Sequence, residues 1–115
     1  MINDFTRYAI YIMPGGTDMR KQINGLAAIA ENEMTEDIFS ESLFLFCNKC
    51  RTQIKILYWD RNGFCLWQKR LEKYRFPWPE EESDWRNINL EELKMLLRGI
   101  DFFKEHKSLK NFRAS

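Results

Sequence analysis

Between Ser42 and Leu71, three runs rich in β-branched and aromatic residues follow one another with only short joints between them. They are "ESLFLFCN" near 42–48, "TQIKILYWD" near 52–59 and "GFCLWQKRL" near 64–71. A parallel return needs a crossover of a dozen residues or more, and neither joint has that length, so each run must turn straight back on the one before it. Asn62-Gly63 lies in the second joint and is a strong short-range hairpin signal. The three runs predict an antiparallel meander. On the middle run Ile54, Ile56 and Tyr58 fall on one face, while Lys55, Leu57 and Trp59 fall on the other. The second set is mixed in polarity, so that face is expected to be only partly covered.

The flanking segments supply what packs on this sheet. "YAIYIM" (8–13) reads as a further strand and stops at Pro14. Gly15-Gly16 breaks the chain, and Thr17 or Asp18 is a plausible N-cap. Ile23, Leu26, Ala27, Ala30 and Met34 recur at three- and four-residue steps, predicting a helix from about 18 to 34. Gly25 inside it is either a cost or a point of close packing. Downstream, Pro77 and Pro79 should take "YRFPWPE" out of the sheet as an extended segment. Glu80 to Asp84 reads as a solvated acidic linker. Asn89 followed by Glu92 resembles a capping box ahead of Leu90, Leu93, Leu96 and Leu97, predicting a short helix near 90–98 that ends at Gly99. The expectation is one α+β domain over 1–115. It has an antiparallel sheet of about four strands, one face on the longer helix and the short helix on an edge or part of the second face. A mobile tail is expected after about 105.

Charge is distributed unevenly. The net charge is +1, yet residues 1–48 carry −4, residues 49–75 carry +6 and residues 76–115 carry −1. The central block interleaves Arg and Lys with Tyr, Trp and Phe, a pairing of cations for phosphate and rings for stacking that suits nucleic acid. A solvated basic sheet face over an aromatic core accounts for the same composition. Arg20 and Lys21 pose a separate question. They fall in the first turn expected of the 18–34 helix, where positive charge opposes the helix dipole. They either extend an anion site at free backbone N–H groups or point outward to acidic partners, and Asp18 would compete for those donors.

Other chemistry is thinly supported. Cys47 and Cys50, with Cys65 and the single histidine His106, would make up a Cys₃His zinc set, but only one close ligand pair is present. Cys47 and Cys65 also suit packing as small apolar strand residues. One histidine gives no nucleophilic triad. Glu80, Glu81, Glu82 and Asp84 read as solvated charge, and Glu105-x-Lys107 lacks the preceding paired carboxylate of a nuclease metal motif. No phosphate-loop or dinucleotide fingerprint occurs, and neither a metal nor a cofactor is expected. "MINDFTRYAIYIM" lacks a basic start and a long apolar core, no apolar run reaches membrane-spanning length, and three cysteines suggest reduced thiols. A cytoplasmic protein without a membrane partner is expected.

Two blocks resemble a known family. "TDMRKQINGLAAI" (17–29) and "IKILYWDRNGFCLWQKRLEKYRFPWP" (54–79) are similar to the TnpB-type accessory protein, the second open reading frame, of the insertion sequence sixty-six family of bacterial transposable elements. The matching positions are Thr17 to Lys21, Gly25 and Leu26, then Lys55, Leu57, Trp59, Asp60, Gly63 and Leu66. They continue through Lys69 to Glu72, Arg75, Phe76, Trp78 and Pro79, and "LLRGID" (96–101) fits the family's C-terminal region. The family often carries a glycine shortly before its Arg-Phe, where this chain has Tyr74, and the three cysteines are not part of the pattern. The resemblance implies a non-catalytic accessory role in DNA transposition beside a separate DDE-type transposase. DNA, either element ends or non-specific, and that transposase are the two partners it implies. Together with the basic block, it nominates Arg20, Lys21, Lys55, Arg61, Lys69, Arg70, Lys73 and Arg75 for phosphate contact, with Trp59, Trp67 or Trp78 for stacking. Under the docking alternative, "RFPWP" with Trp78 would be the anchor.

Overall fold

The structure is a computed structural model that describes residues 4–81 and 87–100. In chain order the elements are β1 (Ala9–Ile12), α1 (Ile23–Asn32), β2 (Ser42–Cys47), β3 (Gln53–Asp60), β4 (Gly63–Arg70), β5 (Asn87–Ile88) and α2 (Leu90–Leu97). The strands form one sheet in the order β4-β3-β2-β1-β5. The meander expected over 42–71 is present: β2 pairs antiparallel with β3, and β3 with β4. Its second turn closes on Asp60 opposite Gly63, so Arg61 and Asn62 are the loop residues, with Arg61 at φ +54°.

The fold is α+β, and its sheet differs from the expectation in two ways. It has five strands, and it is mixed rather than wholly antiparallel. β1 runs parallel to β2, with Ile10 opposite Leu43 and Ile12 opposite Leu45. The helix between them is the cause, because a strand, a crossover helix and a return to the neighbouring position bring the second strand back in the same direction. The two-residue β5 adds to the outer edge of β1, antiparallel to it.

Each face of the sheet has its own helix. On one face Leu26, Ala27, Ala30 and Met34 cover Phe44, Phe46 and Leu57. On the other, Leu93 and Leu96 of α2 join Phe76 and Trp78 over Ile12, Leu45, Ile54 and Ile56. The capping box is formed: Asn89 Oδ1 accepts from the Glu92 amide at 2.8 Å, and the Asn89 amide donates to Glu92 Oε1 at 3.0 Å. The mixed face, expected to be only partly covered, is the one α1 packs on, with Lys55 and Leu57 fully buried, and α2 with the proline-bounded segment closes the other.

The first helix is shorter than its apolar periodicity suggests. It starts at Ile23 rather than near 18, behind Gln22, whose side chain makes no cap. Lys55 explains the delay. Its side chain is buried on the α1 face at 2 % exposure, and Nζ donates to the carbonyls of Met19 and Lys21, both at 2.9 Å. A helix running from 18 would give those carbonyls to the amides four residues on. Held by an ammonium, they leave the helix to start a turn late. Gly25 is tight only against the Lys21 side chain, at 3.2 Å from a notional Cβ, so core packing is not what calls for glycine there.

Candidate nucleic-acid interface

The two blocks of the sequence signature meet through Lys55 on Met19 O and Lys21 O, and the end of the second block clasps the residues just ahead of the first. The segment after β1 continues alongside β2, with the Met13 amide on Leu45 O and the Thr17 amide on Cys47 O. Gly16 passes so near the β2–β3 turn that a Cβ would lie 2.9 Å from the Lys49 Cα. Residues 76–80 then close over this segment. The Trp78 indole donates to Met13 O at 2.9 Å, and the Gly15 amide donates to Pro79 O at 2.9 Å. Arg51 ties the junction from the side, giving Nη1 to Gly15 O at 3.1 Å and pairing Nη2 with Glu80. Phe76 and Trp78 are buried here, so "RFPWP" is a clasp of the fold rather than an exposed anchor.

The nominated cations divide by location. Lys55 is consumed by Met19 and Lys21, as described. Lys69 is half-buried and donates to Leu97 O at 2.9 Å, a cation at the negative end of α2. Arg20 is exposed and fully engaged: Nε and Nη2 grip both oxygens of Asp18, and its amide donates to Oδ1 at 2.9 Å. Those bonds hold the Asp18 carboxyl at about 2, below its ordinary 3.8. Arg70 is exposed and lies beside Glu72 at 3.2 Å. Lys21, Lys73 and Arg75 are exposed, with no ion-pair partner among the described residues.

Lys69, Arg70, Lys73 and Arg75 lie in and just beyond the end of β4. Arg70 faces the α1 side of the sheet, as does Gln68 two positions earlier, and Gln68 lines one cleft with Lys21 and Gln22. Lys69 faces the α2 side. Lys73 and Arg75 follow in the loop beyond the strand, between a Leu71 amide fixed on Thr52 O and a Phe76 amide fixed on Arg51 O. The C-terminus of α2 abuts the same loop, since a Cβ at Gly99 would lie 4.0 Å from Arg75 O. Arg98 is exposed next to Gly99, at the end of α2 that meets this loop. Local sequence carried no sign of this, because α2 reaches the loop only through tertiary packing.

Arg61 and Trp59 are not part of that group. They sit at the opposite end of the β3–β4 hairpin, about 23 Å away at roughly 3.3 Å per residue. There Trp59 packs edge-on against Phe39 at 5.0 Å and Phe64 at 4.9 Å between ring centres, and Phe39 is 58 % exposed. Trp67 is half-buried against the α2-side core.

The cysteines are apart in role as well as in place. Cys47 is buried in β2, and burial pushes its thiol up to about 11. Cys50 is exposed, and Cys65 faces Tyr58 across the hairpin. The turn between Cys47 and Cys50 is organised by Asn48, whose Oδ1 accepts from the amides of Thr52 and Gln53 at 2.9 and 3.0 Å. Among the described residues no group of three or more His, Cys, Asp or Glu is placed to hold a metal ion. His106, the Glu105-x-Lys107 motif and the expected tail lie outside the described residues, as do Glu82 and Asp84 of the acidic linker. Among the described residues, no helix is long and apolar enough to cross a membrane.

The fold is that of a small α+β protein with exposed lysines and arginines in and beside the end of β4. The family model described as "IS66 Orf2 like protein" matches residues 8–107, and the chain belongs to that family. It is a family of transposition-associated accessory proteins. Among curated proteins, the chain is 33 % identical over 93 residues to uncharacterized protein y4hO of Sinorhizobium fredii (strain NBRC 101917 / NGR234), covering 81 % of each chain. It is 28 % identical over 102 residues to uncharacterized protein y4jC of the same strain, covering 89 % of this chain and 87 % of that one. No solved structure matches.

Proposed function

We propose that the protein serves transposition in the cytoplasm by binding DNA through the cationic rim at the end of β4, without cutting or joining DNA itself. The observation that carries this reading is the pair Lys73 and Arg75, exposed and free of carboxylate partners among the described residues. Exposed Lys21 and Arg98 are offered as further contributors to the same rim. Surface cations already paired to carboxylates have less to offer a phosphate, so Arg20 is a weaker contributor than the sequence alone suggests. Lys55, Lys69 and Trp78 serve the interface only by shaping the fold beneath it. The accessory character of the family and the lack of a recognisable nucleophilic triad support a non-catalytic role.

Phosphate contacts release counterions, so affinity should fall steeply with salt, by a slope of about 0.9 per contact on duplex DNA. A salt titration of fluorescence anisotropy on labelled duplex tests this. The double variant Lys73→Gln/Arg75→Gln should weaken binding on every sequence and lower the slope by about 1.8. Absence of binding to element ends and to random DNA at low salt overturns the reading, and incubation with plasmid and magnesium or manganese should leave the plasmid intact.

A second reading keeps the transposase as direct partner, with the anchor moved from the buried clasp to exposed Phe39 and the half-buried Trp59 and Phe64 it packs on. It requires co-purification that survives high salt and is lost in Phe39→Ala.

A further inference from the structure

We propose that Tyr74 is a base-stacking residue that directs the cationic rim to unpaired bases in preference to duplex DNA, an inference that rests on the DNA-binding reading above. Tyr74 stands in the left-handed region at φ +68°, where a side chain is disfavoured and glycine is not. The other strained residues beside the sheet have a local reason for their backbone. Arg51, at φ +64°, binds Gly15 O, Asn48 O and Glu80 with its guanidinium. Arg61 is required to turn a two-residue hairpin. Tyr74 has neither. Its ring is 87 % exposed, and it makes no hydrogen bond or ring contact among the described residues. Among the described residues no contact offsets the cost of carrying a side chain there, which points to a ligand that does.

The mount suits a stacking platform. The loop is short and held at both ends, by the Leu71 amide on Thr52 O and the Phe76 amide on Arg51 O, each at 2.7 Å. The ring therefore projects from a fixed base and loses little freedom on binding. Lys73 and Arg75 flank it, so a base on the ring would have its neighbouring phosphates within reach of a cation on either side. In a duplex both faces of each base are already covered, and a protein ring gains access only after unstacking. Single strands, open ends and unpaired loops present the face freely.

The test compares one labelled oligonucleotide, single-stranded and annealed to its complement, on the full-length protein. Tyr74→Gly removes the ring and relieves the backbone, so its melting temperature should rise, which rules out loss of fold as the cause of any weakening. Single-strand affinity should drop about tenfold while duplex affinity moves by less than about twofold. Tyr74→Phe should keep the wild-type preference. If wild type binds DNA but Tyr74→Gly leaves the ratio of the two affinities unchanged, stacking is overturned and the cationic rim stands. If wild type binds neither form, both readings fall together. If Tyr74→Gly loses capture of the element's transposase while both DNA affinities hold, the ring is a protein contact and the proposal is overturned.

Discussion

Asp18 and Arg20 resolve the oddity of cations ahead of the first helix. The helix begins later, and the arginine is turned back on a carboxylate two residues away, with the backbone amide completing the grip. Because the folded carboxyl titrates at about 2 instead of 3.8, the contribution of this pair is present above about 3.8 and is lost as the pH falls through about 2. Exposure of both side chains keeps that contribution small. The Arg20 amide should titrate by NMR with a midpoint near 2, and a midpoint near 3.8 would show that the pair does not form. Gly16 is the opposite case, a residue fixed by a backbone it cannot push aside. Gly16→Ala places a methyl 2.9 Å from the Lys49 Cα and should cost about 1–3 kcal/mol in denaturant unfolding.

Among the elements, α1 shows how a single side chain overrides periodicity. The apolar positions from Ile23 to Met34 mark the buried face correctly, and the start was misread because the residue that sets it lies on another strand. Lys55→Met leaves Met19 O and Lys21 O without their donor, and it should destabilise by about 1–3 kcal/mol. An unchanged midpoint would mean that these carbonyls find partners in the helix itself. Strands with short joints were legible because pairing of neighbours is forced by joint length, and α2 because its capping box is local. The parallel pairing of β1 and the docking of α2 on the 71–76 loop were not legible, since both depend on contacts remote in sequence. The same remoteness hid Arg98 from the basic block and made Lys55 and Trp78 look exposed when they are buried.

Across the whole molecule, the clasp of residues 76–80 on 13–16 joins parts of the chain more than sixty residues apart, as in Trp78 Nε1 to Met13 O. The meander from Ser42 to Arg70 closes only short loops, and the pairing of β1 waits on a longer crossover. Late-forming contacts have little presence in the folding transition state, and their loss falls on the unfolding rate. Trp78→Phe deletes the indole donor while keeping a ring in the core. It should therefore accelerate unfolding several-fold in stopped-flow denaturant jumps and leave the refolding rate within about twofold. A variant that slowed refolding instead would place the clasp in the nucleus. The clasp of residues 76–80 on 13–16 is then, in kinetic terms, a latch. It governs how long a folded copy persists more than how quickly one is made.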